Sequence, residues 1–156
     1  MKPYLPKLVA GAALAIMAAP ASWALELAIQ NSQALSFGSF VAGSGGTVTI
    51  STSGARSASG GVLLIPSSAG AAAQFTVSGD ANATYTVQLP GNDFVKLTGP
   101  GGDMLINDFV SSPSGAGGQL SAGGSQTLLV GATLNVASGQ VPGEYSGSFS
   151  VTVDYN

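Results

Sequence analysis

The sequence predicts an all-β fold, an immunoglobulin-like β-sandwich with Greek-key connections. Three observations carry this. Short runs that alternate apolar and polar residues follow one another at close intervals. Between them lie Gly, Ser, Asn and Pro, with 23 Gly and 8 Pro among 156 residues. Beyond residue 24 no stretch sustains a 3.6-residue period, and nine or ten short strands of this kind suit a sandwich.

Residues 1–24 read as a secretory signal peptide. Lys2 and Lys7 supply the positive start. Leu8 to Ala19 is apolar but too short to span a bilayer as a helix. Small residues at −3 and −1 favour cleavage after Ala24, with Ala21 the second choice. The mature chain then keeps two side-chain cations, Arg56 and Lys96, against seven acids, a net charge of −5. Residues 25–34 form an N-terminal extension that opens on Leu25-Glu-Leu-Ala-Ile-Gln, and the sandwich proper is expected over 35–156.

The strand signals run in order. Leu35–Val41 comes first, then Thr47–Ser51 after a Gly-rich turn. Gly61–Pro66 is a short apolar run, and Gln74–Ser78 alternates. Thr84–Leu89 places Tyr85, Val87 and Leu89 on one face. Phe94–Thr98 and Met104–Val110 flank the Gly99–Gly102 turn. Thr127–Val136 aligns Leu128, Val130, Ala132, Leu134 and Val136. Ala69–Ala73 offers at most one helical turn, while Ser53–Gly61 and Ser111–Gly118 read as long mobile loops.

Composition excludes several chemistries. There is no Cys and no His, so disulfides, thiolate sites and the commonest general base are missing. With so few cations, no phosphate-binding patch for nucleic acid can form. No catalytic residue, metal ligand or cofactor is assigned. Asp103 and Asp108 would have to stand as a carboxylate pair for glycoside hydrolysis, yet read better as separate solvated acids. Asn92, Asp93, Asp103, Asn107 and Asp108 lack a calcium-loop spacing. Asn82-Ala-Thr84 matches a glycosylation acceptor only formally, and Arg56 and Lys96 read as solvated. No membrane span is expected in the mature chain.

The last fourteen residues alternate almost without fault. Tyr145, Gly147, Phe149, Val151, Val153 and Tyr155 fall on one face, and Ser146, Ser148, Ser150, Thr152 and Asp154 on the other. With Gly143 fourteenth from the end and Tyr155 penultimate, the segment resembles the C-terminal signature of chaperone–usher pilins. Leu35–Ile50, Val130–Val136 and this segment together resemble a family of Cys-free secreted bacterial proteins that look pilin-like.

The resemblance implies a pilin-type sandwich lacking its last strand, in a structural subunit of a secreted surface fibre that supports adhesion. A periplasmic chaperone would fill the groove before an outer-membrane usher passes the subunit into a homopolymer by donor-strand exchange, via the periplasm to the cell surface. Leu25, Leu27 and Ile29 would donate; Gly143, Tyr145, Phe149, Val151, Val153 and Tyr155 would line the acceptor strand. Burying three donor side chains contributes roughly 5–9 kcal/mol. Ordering about six residues costs about 1–2 kcal/mol each. The main-chain ladder must therefore supply the surplus. The alternative is a monomeric, self-complemented binding module or adhesin, in which Leu25–Gln30 completes its own sandwich.

Overall fold

A computed structural model describes residues 24–156; the leader expected over 1–24 lies outside the described residues except for Ala24. The twelve strands are β1 Ala28–Gln33, β2 Phe40–Val41, β3 Gly46–Ile50, β4 Arg56–Gly60, β5 Leu63–Leu64, β6 Ala73–Ser78, β7 Thr84–Gln88, β8 Val95–Leu97, β9 Met104–Ser112, β10 Gly118–Gln119, β11 Ser125–Val136 and β12 Thr152–Tyr155. All pairings between them are antiparallel. The fold is all-β.

β11 organises the largest sheet. Its first half pairs with β6 and its second half with β3, while β9 runs along the opposite edge. β1 extends this sheet beyond β6, β4 extends it beyond β3, and β8 extends it beyond β9. A second sheet runs β10-β7-β12, and a short third pairs β2 with β5. The face read from sequence is the face that is buried: Leu128, Val130, Ala132, Leu134 and Val136 are all 6% exposed or less. Tyr85 and Val87 of β7 pack on Ala73, Val77, Leu128 and Val130, joining the second sheet to the first. A neighbouring cluster gathers Phe37, Val48, Ile50, Ile106 and Leu134 beneath the third.

Three segments differ from the sequence reading. Arg56–Gly60 is not a mobile loop but β4, paired residue for residue with β3. After Arg56 its side chains are small and exposed, so it carries no hydrophobic signal and is held by the ladder and by polar contacts. Ala69–Ala73 forms no helical turn: Ala71 bridges to Ser36 and Ala73 opens β6. Ser111–Gly118 is shorter as a loop than expected, because β9 runs on to Ser112.

Candidate functional site: a groove beside the C-terminal segment

The C-terminal segment has the pattern of a strand over its whole length, but only β12 has a ladder, to β7 from Thr152↔Gln88 to Tyr155↔Tyr85. Upstream, Ser146 exchanges a pair of hydrogen bonds with Thr98. Between these points, Gly147–Val151 makes no backbone hydrogen bond to any described residue. Its apolar face is correspondingly wet. Tyr145, Phe149, Val151 and Val153 are only half-buried, and Tyr155 is 37% exposed.

Opposite lies the segment Ala34–Gly43. It is tied on its outer side to residues 63–71, through Ser36↔Ala71, the β2–β5 pair and Ile65 N donating to Ser39 O. Between Ala34–Gly43 and Gly139–Phe149 a groove of about 1280 Å³ remains. Core side chains floor it: Val95, Met104, Ile106 and Leu134 reach it from β8, β9 and β11. These floor side chains are themselves 8% exposed or less, so the groove is a cleft over a closed core, and its two walls of extended chain are the geometry that accepts one added strand.

Each end of the groove is fixed. At one end Phe149 meets Phe75 edge-on, centroids 6.3 Å apart, and tilts against Phe109 at 5.1 Å. At the other, the Tyr145 hydroxyl donates to Val141 O at 2.6 Å and accepts from Gly101 N and Gln140 Nε2. Gly143 has φ +156°, and the Pro100 ring occupies the space a Cβ would need.

Arg56 was read as solvated, and the structure corrects this. Its guanidinium donates to Phe37 O at 3.0 Å, Ser39 O at 3.0 Å and Ile65 O at 2.8 Å. One of the few cations therefore clamps the groove wall to its outer neighbour. A lone Arg between Ala and Ser gave no signal of this in sequence.

The donor candidates sit elsewhere. β1 pairs with β6 of its own chain, Ile29 opposite Val77. Leu27 and Ile29 are half-buried against the second core cluster, while Leu25 is 61% exposed. None of the three lines the groove. Of the acceptor candidates, Gly143, Tyr145 and Phe149 line it; Val151 and Val153 pack on the second cluster, and Tyr155 lies beyond.

The acids do not converge. Asp103 takes Lys96 as its ion-pair partner. Asp108 sits in a β-bulge with φ +52°, its N–H bonded to Asn92 Oδ1. Asn107 Oδ1 accepts from Asp93 N. The two Asn oxygens are thus already engaged by backbone N–H groups. Among the described residues no group of three or more acids is placed to hold a metal ion. Among them, too, no helix is long and apolar enough to cross a membrane.

A family model described as a domain of unknown function, DUF4402, matches residues 27–155. The chain belongs to the DUF4402 family. No curated protein and no solved structure matches it. The DUF4402 match takes in the groove, both of its walls and the whole C-terminal ladder, and it begins at Leu27 within the N-terminal extension.

Proposed function

We propose that this DUF4402 protein is a structural subunit of a secreted surface fibre, assembled by strand addition. In this reading the fold is a pilin-type, immunoglobulin-like sandwich with Greek-key connections. The observation that carries it is the unpaired run Gly147–Val151 beside a groove floored by core side chains. A strand of about five residues, at roughly 3.3 Å each, would pair that run. The filler in the fibre is the extension of another subunit, bearing Leu25, Leu27 and Ile29. Before assembly it is a strand of a periplasmic chaperone, which shields the open edge from aggregation and hands the subunit to an outer-membrane usher.

The cis position of β1 supports one further step. β1 lies at the edge of its sheet, paired to β6 alone, and can leave without opening the central core. Detached, it becomes a donor.

The self-completed monomer is the second reading, favoured by the same β1–β6 pairing. An unheated and a boiled sample of protein sheared from the native cell surface, run on one denaturing gel, separate the two. Strand-linked polymers dissociate slowly, so a ladder that collapses on boiling is expected. A single monomer band in both lanes would overturn the fibre.

A further inference from the structure

A closed ring of hydrogen bonds joins three distant residues at the start of β1. Leu25 N donates to Asp80 Oδ1 at 2.9 Å. The Tyr155 hydroxyl donates to Leu25 O at 2.8 Å and accepts from Asp80 N at 2.8 Å. Gly79 makes room for this, since a Cβ there would meet the Tyr155 hydroxyl. Leu25 thus has both its backbone groups held, although its side chain is largely exposed.

We propose that Asp80 and Tyr155 form a capture site for a free α-ammonium group, the amino terminus created at Leu25 when the leader is removed after Ala24. The inference rests on the leader expected from sequence and not on the fibre. Three facts converge on it. The group receiving Leu25 N is a carboxylate, which prefers a cationic donor to a neutral amide. Asp80 has no cation among the described residues, where the one ion pair is Lys96–Asp103 and Arg56 is engaged with carbonyls. Finally, Ser22 and Ala24 place small residues at −3 and −1 of that same bond. Cleavage after Ala21 would leave Ser22-Trp23-Ala24 ahead of Leu25 and put an amide at Asp80. The site therefore distinguishes one processed terminus from another, and it pins β1 in register on β6.

The test uses protein exported and processed from the full chain, taking the monomeric fraction. Intact mass should place the terminus at Leu25. Such a protein carries two amines, that terminus and Lys96. Reductive ¹³C-methylation then lets both titrate by NMR, with Lys96 as internal reference. The α-amine midpoint should lie at higher pH than that of the free peptide Leu25–Gln30, at a proton concentration about 3–10-fold lower. In Asp80→Asn, which keeps the backbone donor to Tyr155, the shift should vanish. Glu26, Asp154 and Tyr155, the other titratable groups near the ring in sequence, are the same in both proteins. A terminus other than Leu25, or a wild-type midpoint equal to the peptide's, overturns the proposal. So does an Asp80→Asn midpoint equal to wild type. The peptide comparison stands even if that variant does not fold.

Discussion

β11 and the C-terminal segment carry nearly the same pattern and end in opposite situations. Both alternate apolar and polar residues over twelve or so positions. β11 has partners on both edges, and Leu128, Val130 and Leu134 are fully buried. The C-terminal segment has a partner on one edge and only at its ends, and its apolar face stays half-buried. Alternation encodes which face a residue takes. It says nothing about what lies along the strand's edge. The unfilled edge is the difference between the two segments.

The largest expected contrast is in amide hydrogen exchange. Amides of β11 should open only with the whole domain, at about 5–15 kcal/mol for a typical protein. Amides of Gly147–Val151 should exchange at nearly unprotected rates in the monomer and become protected when the groove is filled. Strong protection there in the monomer would mean that the edge is closed, and the contrast would be broken.

Next comes truncation in each region. Leu128→Ala, in β11 and away from the groove, should cost about 2–5 kcal/mol in urea unfolding, whether or not the groove is filled. Phe149→Ala should cost roughly half as much in the monomer, because its ring is only half-buried, and more in the filled state. Equal costs in the monomer would erase the distinction.

The features legible in sequence were those written in side-chain period. The faces of β7 and β11 and the apolar face of the last segment were read correctly from alternation. β4 was not, because its Ser, Ala and Gly side chains carry no period, and its place is set by the ladder to β3. The role of Arg56 was also hidden. Its partners are three main-chain carbonyls, and carbonyls are common to every residue. The groove was half legible: one wall was named through its alternation and the resemblance that it carries, while Leu35–Val41, within the other wall, reads as a strand without sign that its inner edge is open.

Arg56→Ala sharpens the comparison from the other wall. Hydrogen bonds from a charged donor contribute about 1.5–3 kcal/mol, less at a half-exposed site, so a loss of about 1–2 kcal/mol is expected. The loss should be local. Exchange should quicken at Phe37–Val41 and leave β11 unchanged. If β11 amides quicken equally, the wall and the core are one cooperative unit.

The smallest effect concerns the link between the two regions. Tyr85 of β7 is fully buried, and its hydroxyl donates to Gln126 Oε1 of β11 at 2.6 Å. β7 is also the ladder partner of β12. Burial raises the Tyr85 pKa above its usual 10. The folded state therefore keeps the phenol proton at pH values where the unfolded chain has lost it. Its contribution to stability is fully present below pH 10 and is lost as pH climbs through the folded value. Tyr85→Phe should cost about 1 kcal/mol near neutrality and flatten the alkaline decline, so the two stability curves approach one another above pH 10. Tyr145 and Tyr155 remain in both proteins. The removed bond ties β7 to β11, so Tyr85→Phe should quicken exchange at Val153 more than at Leu134. An equal increase at both would show that β12 opens only with the core, and the free edge would then be confined to Gly147–Val151.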